Sequence, residues 1–113
     1  MKVAIVGSRN SKGLTAARIA EEIPPECDGL ISGGARGVDT LARQAAKLLG
    51  LPIWEIYPQY QLYGRTAPLI RNQQIIQNAD LVLAFWDHSS RGTKHAIYLA
   101  LKMEKELRVI DLD

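Results

Sequence analysis

Five short apolar runs alternate with amphipathic stretches along this chain, and this alternation restricts the fold more than any other feature of the sequence. The clearest run covers residues 81–85, which are apolar at every position, as in a parallel strand that is buried on both faces. We expect each of the five runs to form a β-strand. The other four cover residues 2–6, 28–31, 52–57 and 107–111.

Helical patterns fill the intervals between these strands. The clearest lies in residues 38–49, where an apolar stripe repeats at helical spacing and Gly50 follows as a C-cap. A first helix is stopped by Pro24-Pro25, and Pro68 stands near the start of a third. The stripe of the second helix consists of Val38, Leu41, Ala42, Ala45, Leu48 and Leu49, and the fourth helix carries Ala96, Leu99, Ala100 and Met103.

Five strands alternating with four helices predict an α/β protein with a Rossmann-like, doubly wound parallel sheet of five strands. Right-handed crossovers favour the strand order 3-2-1-4-5, with helices on both faces of the sheet. The length of 113 residues suits one domain, so we predict a single domain over residues 1–113. In such a sheet, ligands bind beyond the carboxyl ends of the strands, where the first and fourth strands lie side by side.

The composition argues against several classes of protein. The lone cysteine, Cys27, cannot form an internal disulfide, and two histidines are too few for a Cys/His zinc site. No apolar run reaches the length of a membrane span and no signal-peptide pattern begins the chain, so we expect a cytoplasmic protein without a membrane partner. The net charge of +2 is low for a dedicated nucleic-acid binder, although it does not exclude DNA.

Polar residues and glycines concentrate after the strands, at the edge of the sheet where a ligand is expected to bind. The opposite edge carries ordinary connecting segments, so this asymmetry is the main argument for a site. Outside the glycine-rich segment described next, the candidate ligand-binding residues are Gly7, Ser8 and Arg9 after the first strand, Arg71 and Asn72 in the third helix, and Ser89, Ser90, Gly92 and Thr93 after the fourth strand.

The glycine-rich segment after the second strand is the strongest candidate for binding an anion. Its glycines allow a sharp turn, and the helix that follows presents unpaired N–H groups and the positive end of its dipole. We therefore interpret the segment as a phosphate cradle in which Arg36, Arg9 and Arg71 neutralise charge. The alternative is a tight turn with Arg36 in solvent. The segment reads Ser32-Gly33-Gly34-Ala35-Arg36-Gly37-Val38-Asp39.

For several of the candidate ligand-binding residues, the sequence also allows a purely structural role. Asp39 can stabilise its helix through the dipole, orient a ribose hydroxyl or Arg36, or serve as the general base of a hydrolase, and we favour orientation. Ser8 can bind phosphate or cap the first helix, while Thr93 can bind a second phosphate and cap the last helix. Asn72 offers a donor and an acceptor to a base or ribose, or bridges two loops.

The aromatic residues and His88 allow several interpretations. Trp54 lies within a strand, which predicts a core position, and Trp86 ends the fourth strand near the edge of the expected site. A loop with three tyrosines allows base stacking, contact with a second subunit or closure of the sheet edge. His88 has no identified partner, which favours polar surface. The three tyrosines are Tyr57, Tyr60 and Tyr63.

Five segments of the chain, taken in order, resemble the SLOG superfamily, and within it the YspA-like (cpYpsA-related) group of small Rossmann-like domains. The glycine-rich segment is also similar to the core of the DNA-processing protein A (Smf) family. The five segments are Gly7-Ser8-Arg9, residues 32–39, Arg71-Asn72, Ala79-Asp80 and Ser90-Arg91-Gly92-Thr93.

The last of these segments corresponds in position to the Gly-Gly-x-Gly-Thr-x-x-Glu loop of the Lonely Guy phosphoribohydrolases. Gly92 and Thr93 match that loop, but Ala96 stands where the resemblance expects the glutamate. The resemblance therefore implies a nucleotide-derived ligand without the carboxylate that those enzymes use to cleave an N-glycosidic bond. Relatives pair through helices that flank the sheet, so the resemblance also implies a homodimer.

These observations predict a sensor or processing domain that binds a nucleoside phosphate, an ADP-ribose-like molecule or another nucleotide-derived ligand at the carboxyl edge of the sheet. Such binding requires neither a cofactor nor a metal. One alternative is a hydrolase that cleaves an N-glycosidic or phosphate-ester bond, with Asp39 or Asp87 as the carboxylate that it needs. A second alternative is single-stranded nucleic-acid binding, by analogy with the DNA-processing relatives.

Overall fold

The computed structural model describes residues 1–112, in which strands and helices alternate along the chain. One helix, α3 (Tyr60–Tyr63), is a single turn, and a 3-10 turn at Gly64–Thr66 joins it to α4 (Ala67–Gln77). The strands are β1 (Lys2–Gly7), β2 (Gly29–Ser32), β3 (Ile53–Glu55), β4 (Leu81–Trp86) and β5 (Glu106–Asp111), and the helices are α1 (Ala16–Glu22), α2 (Val38–Leu49), α3 (Tyr60–Tyr63), α4 (Ala67–Gln77) and α5 (Arg91–Lys102).

All five strands are parallel and form one sheet in the order β3-β2-β1-β4-β5, which confirms the predicted fold and strand order. At the centre of the sheet, Val3 to Gly7 of β1 pair with Leu81 to Phe85 of β4. The helices α1 and α2 pack on one face, and α4 and α5 pack on the other. The loops that follow β1 and β4 therefore emerge next to each other at the carboxyl edge.

The two central strands belong to both hydrophobic cores. Ile5 and Leu83 face α1 and α2, whereas Ala4 and Val82 face α4 and α5. All four side chains are completely buried. Because successive residues of a strand point to opposite faces, an uninterrupted apolar run is what a strand covered on both faces requires.

Local capping sets the ends of three helices. The Thr15 side chain accepts the Arg18 N–H at the start of α1, and Gly50 ends α2 in the left-handed conformation with φ +67°. The side chain of Ser90 caps α5 by accepting the Thr93 N–H. The prediction that Thr93 caps the last helix was wrong, because α5 begins two residues earlier and Thr93 is buried in its first turn.

Two apolar predictions and one loop prediction were also wrong. Trp54 is 46% exposed, because β3 is an edge strand and the indole lies against Lys2, 4.9 Å from its ammonium group. Leu48 and Leu49 are exposed, because the core cluster ends at Ala46 on this helix and the last turn extends past it. The segment predicted to be a loop with three tyrosines contains α3, whose turn is closed by two N–H groups that donate to the Gln59 carbonyl.

Three further features bear on the expected class of protein. Among residues 1–112, no helix combines the length and the apolar character needed to cross a lipid bilayer. The same residues contain no cluster of three His, Cys, Asp or Glu side chains that could hold a metal ion. Cys27 is a free, buried cysteine whose thiol donates to the Gly29 carbonyl at 3.2 Å.

Candidate functional site

An open crevice of about 650 Å³ lies at the carboxyl ends of β1 and β4, the place where the strand order predicts a ligand site. Three arginines and two aspartates line it, so its fixed charge is positive. The polar lining and backbone come from Gly7, Arg9, Asn10, Gly33, Ala35, Asp39, Arg71, Asn72, Asp87, Ser89, Ser90, Arg91, Gly92, Thr93 and His95, and the apolar lining comes from Val6, Pro68, Leu69, Ile75 and Ala96.

Part of the glycine-rich segment is bonded within itself. The Ala35 N–H donates to Asp39 Oδ2 at 3.0 Å, and the Gly34 N–H donates to Ser32 Oγ at 3.4 Å. Two of the N–H groups that the sequence offers to a phosphate are therefore engaged by side chains of the same segment. The segment faces the crevice through Gly33, Ala35 and the Asp39 side chain.

Gly33 is the point where Arg71 and Asp39 converge. The Gly33 carbonyl accepts a hydrogen bond from Arg71 Nη1 at 2.9 Å. A Cβ atom on Gly33 would lie 2.7 Å from that nitrogen and 3.0 Å from Asp39 Oδ2, so any side chain here would displace both groups. The glycine is thus needed for the approach of a cation and a carboxylate from two different helices.

Burial and charge act against each other at Asp39 and Arg71. Burial raises the pKa of Asp39 above its ordinary value, while the Ala35 N–H and the charge of Arg71 oppose that shift. Burial likewise lowers the pKa of Arg71, and the charge of Asp39 opposes it. Each side chain therefore stabilises the charged form of the other in a setting that disfavours charge.

Asn72 connects the two helices that form one wall of the crevice. Arg71 Nε donates to Asn72 Oδ1 at 3.1 Å, and Asn72 Nδ2 donates to the Gly92 carbonyl at 3.4 Å. Asn72 Nδ2 also lies 3.2 Å from His95 Nδ1. Arg71 and Asn72 belong to α4, whereas Gly92 and His95 belong to the first turns of α5, so the amide fixes the relative position of these helices.

The loop before α5 is ordered by Asp87. Its carboxylate accepts the N–H groups of Ser89 and Ser90, both at 2.9 Å, and these bonds lower the pKa of Asp87 below its ordinary value. The Asp87 N–H donates in turn to Ser8 Oγ at 3.1 Å. The loop after β4 is thereby tied to the loop after β1, and the start of α5 is held at the mouth of the crevice.

Eleven of the predicted ligand-binding residues line the crevice, and the structure thus brings together segments from β1, β2, α4 and α5. Whether they bind a ligand stays a prediction. These residues are Gly7, Arg9, Gly33, Ala35, Asp39, Arg71, Asn72, Ser89, Ser90, Gly92 and Thr93.

Five other predicted residues do not line the crevice. Ser8 and Ser32 are fully buried, and Ser8 holds Asp87 rather than capping α1, whose cap is Thr15. Gly34 lies beneath the ring of Tyr57. Arg36 is exposed, in agreement with the alternative that places it in solvent, and Gly37 packs against the loop after β1.

Sequence reasoning missed His95 as a lining residue, and it did not single out Asn10. A signal for His95 exists in the sequence, because residues three apart on a helix share a face and His95 follows Gly92 by three positions. Ala96, where a glutamate is expected by resemblance, also lines the crevice.

Trp86 and His88 lie outside the crevice lining. Trp86 Nε1 donates to the Ser90 carbonyl at 3.1 Å, and its ring lies 4.4 Å from that of His88. His88 Nε2 is 2.7 Å from Asp111 Oδ1, so the expected unpaired histidine has an exposed ionic partner on β5.

None of the three tyrosines, Tyr57, Tyr60 and Tyr63, lines the crevice. Tyr57 covers Gly34 and donates to Glu55 Oε1 at 3.2 Å. Tyr60 is 60% exposed, and it is close enough to Arg71 to influence the pKa of that guanidinium. Tyr63 is 40% exposed, so α3 carries two exposed tyrosines at its two ends.

No protein-family model matches the chain, and no curated protein matches it. The structure is similar to that of DNA processing protein A from Helicobacter pylori, which was solved to describe its single-stranded DNA binding mode. The two structures have a TM-score of 0.73 and 27% sequence identity, over 96% of this chain. This chain spans 64% of the solved chain. The likeness bears out the predicted similarity to the DNA-processing protein A family.

Proposed function

We propose that this domain binds a nucleotide or nucleotide-derived ligand in the crevice between the ends of β1 and β4. The observation that carries the proposal is the meeting of three arginines and the start of a 12-residue helix at this switch point. Arg9, Arg71 and Arg91 supply positive charge from three separate segments. Membership of the YspA-like group of the SLOG superfamily, which the sequence motifs suggest, forms part of the same proposal.

The phosphate is proposed to bind at the start of α5 rather than in the glycine-rich segment. Among the described residues, the N–H groups of Arg91 and Gly92 make no intramolecular hydrogen bond, while those of Ser89, Ser90 and Thr93 are occupied. Free N–H groups at a helix start attract anions. In the glycine-rich segment, by contrast, the N–H groups of Gly34 and Ala35 already donate to Ser32 and Asp39.

The sugar is proposed to bind at the other end of the crevice, against Asp39 and Asn72. A buried carboxylate is a strong acceptor for ribose hydroxyls, as in dinucleotide-binding folds. The apolar floor formed by Val6, Ile75 and Ala96 excludes water from beneath the ligand. In this arrangement, a ligand needs both an anionic group and a hydroxylated one to use the whole crevice.

Replacing Arg9 by alanine is expected to weaken AMP binding about tenfold, whereas Arg36→Ala should change it less than about twofold. Both arginines are exposed and follow neighbouring strands, but only Arg9 lines the crevice. The two variants thus remove the same charge, one from inside the crevice and one from outside it. Isothermal titration with AMP, ADP-ribose and NAD measures the effect, and chromatography of the recovered ligand shows whether it is cleaved.

Equal losses in the two variants would indicate non-specific attraction by surface charge and would contradict a site in the crevice. Failure of the unmodified protein to bind any of the three ligands would contradict the proposed function itself. A ligand that binds only the folded state should also raise the thermal midpoint, by about 2.7 kcal/mol of stabilisation at 100 times its dissociation constant. A cleaved ligand would favour the hydrolase alternative, with Asp39→Asn as the next variant.

A second candidate function, single-stranded DNA binding, is favoured by the likeness to DNA processing protein A. Exposed Tyr60 lies near Arg71 of the crevice, and exposed Tyr63 and Arg65 follow it in α3 and the 3-10 turn. Stacking aromatics next to positive charge are the combination that binds single strands without reading their sequence. The same start of α5 would then hold a backbone phosphate.

If the chain binds single-stranded DNA, Tyr60→Ala should weaken binding of a labelled oligothymidylate about fivefold to a hundredfold, as expected for one lost stacking contact. The matched control is Tyr98→Ala, because Tyr98 has a similar exposure of 55% but lies on α5 away from the crevice lining. Fluorescence anisotropy over a series of salt concentrations should show a steep decrease of affinity. Salt-independent titrations, or equal effects of the two variants, would eliminate this candidate.

A further inference from the structure

His95 has no role in the function described so far, although it lines the crevice beside Ala96. Its side chain is half-buried on α5, and one ring nitrogen, Nδ1, faces Asn72 Nδ2 at 3.2 Å. A histidine in a ligand site acts as donor, acceptor or cation, depending on which nitrogens carry hydrogen. The hydrogen bonds of Asn72 determine which of these applies.

The orientation of the Asn72 amide follows from two partners that have only one possible role each. Arg71 Nε always donates, so the atom of Asn72 that faces it at 3.1 Å must be the oxygen. The Gly92 carbonyl only accepts, so the atom that faces it must be the nitrogen. The amide group next to His95 is therefore an NH₂ group.

The NH₂ group of Asn72 requires His95 Nδ1 to be an acceptor. The hydrogen of the neutral ring then lies on Nε2, and an imidazolium would place an N–H against the NH₂ group. Burial lowers the pKa of His95 and so acts in the same direction. Within residues 1–112, Nε2 makes no hydrogen bond, and no buried side-chain nitrogen or oxygen lacks a partner, so Nε2 is accessible to solvent.

We propose that the Nε2–H of neutral His95 is a specificity-determining contact that donates a hydrogen bond to an uncharged acceptor on the nucleoside part of the ligand. Arg71 and Asn72 act as positioning residues that hold the ring in this tautomer. The inference rests on the proposed function, since it concerns the same crevice. It identifies the atom of the crevice that distinguishes a nucleotide from a bare phosphate.

An uncharged acceptor suits this donor better than a phosphate does. Arg9, Arg71 and Arg91 already supply charged donors, which bind anions more strongly than a neutral ring does. A neutral N–H discriminates in another way, because a ligand without an acceptor leaves the group desolvated and unpaired. Hydroxyl oxygens of the sugar and carbonyl or ring nitrogen atoms of the base offer the required acceptor.

Two substitutions of His95 separate the contributions of its two nitrogens. The side-chain amide of His95→Gln reaches the position of Nε2 and keeps a donor towards the ligand, whereas that of His95→Asn reaches only the position of Nδ1. We expect His95→Asn to weaken AMP binding about tenfold and His95→Gln to weaken it less than about threefold. Binding of inorganic pyrophosphate, measured by the same calorimetry, should stay within about twofold in both variants, and equal thermal midpoints verify that both fold.

The outcomes separate this inference from the proposed function. Unchanged AMP affinity in His95→Asn, or an equal loss for pyrophosphate, would overturn the role of His95 while leaving the crevice as a phosphate site. If the unmodified protein bound neither AMP nor pyrophosphate, both proposals would be wrong. A loss confined to AMP and rescued by glutamine supports the inference.

The positioning role of Asn72 has its own spectroscopic test. In the unmodified protein at neutral pH, long-range ¹H–¹⁵N correlation spectra should show His95 with the hydrogen on Nε2. In Asn72→Asp, the carboxylate replaces the NH₂ group by an acceptor, so the hydrogen should move to Nδ1 or the ring should become protonated on both nitrogens. An Nδ1–H tautomer in the unmodified protein would overturn the inference without any ligand.

Discussion

Replacing Gly37 by alanine is expected to lower the free energy of unfolding by about 3–5 kcal/mol. Gly37 has φ +74° and ψ −121°, a conformation open essentially to glycine alone. A Cβ atom would also lie 2.6 Å from the Ser8 carbonyl oxygen and overlap the Arg9 carbonyl. Since Val38 N–H donates to that Ser8 oxygen at 3.1 Å, the clash would separate the start of α2 from the end of β1. Denaturation in urea measures the loss.

Gly50→Ala is the matched control for this prediction. Gly50 has a similar φ of +67°, but within residues 1–112 no atom beyond Gly50 and its chain neighbours lies within 4 Å of the position of a Cβ. Its substitution should destabilise the protein by only about 1–2 kcal/mol, the effect of left-handed backbone without a clash. Similar losses in Gly37→Ala and Gly50→Ala would mean that backbone conformation alone matters and that the contact between the β1 loop and α2 does not hold this edge together.

The second large effect is expected at Arg71. Arg71→Met should destabilise the protein at pH 7 by about 2–4 kcal/mol, because the Gly33 carbonyl and Asn72 Oδ1 each lose a donor in a partly buried site. The buried carboxylate of Asp39 also loses the charge that opposes the rise of its pKa. Binding of a nucleotide should be abolished at the same time. Urea denaturation from pH 4 to pH 8 measures the stability.

The pH dependence of this loss tests the coupling to Asp39. Because burial raises the pKa of folded Asp39 above 3.8, the folded chain holds this proton longer than the unfolded chain. The stability that Asp39 contributes is complete below pH 3.8 and is lost as the pH rises through the folded pKa. Arg71→Met raises that pKa further, so its destabilisation should grow from about pH 4 towards neutrality.

The double variant completes the test. In an Asp39→Asn background the carboxylate is absent, so Arg71→Met should cost less and its effect should no longer depend on pH. A loss of the same size at every pH in both backgrounds would show that Arg71 acts only through its hydrogen bonds to Gly33 and Asn72. The coupling between the cation and the carboxylate would then be refuted.

Much of the fold could be read from local patterns. The apolar runs at residues 81–85 and 2–6 became the two central strands, and the strand order agreed with the prediction. Patterns failed where burial depends on neighbours that lie far away in sequence. Trp54 is a large aromatic residue within a strand, which predicts burial. Because β3 has a neighbouring strand on one side only, the side chain stays 46% exposed.

The candidate site, too, could be predicted from the sequence only in part. The preference for the carboxyl edge, and for Arg9, Asp39 and Arg71, followed from the sequence. Arg36 shows where that reasoning stops: it lies within the glycine-rich segment but is exposed and does not line the crevice. Arg71, 38 residues from Gly33, donates to the carbonyl of that glycine. Sequence proximity was a poor guide to which cation lies beside the loop.

The sequence by itself determined that this chain forms a five-stranded parallel sheet with its polar loops at one edge, because hydrophobic periodicity and helix-ending residues act over a few positions. Only the tertiary structure decided that Asn72 joins α4 to α5, that His95 lines the crevice with Nδ1 against Asn72, and that two N–H groups of the glycine-rich segment are already occupied. A hydrogen bond forms only where donor and acceptor atoms lie about 3 Å apart, and the packing of whole helices on the sheet sets those distances.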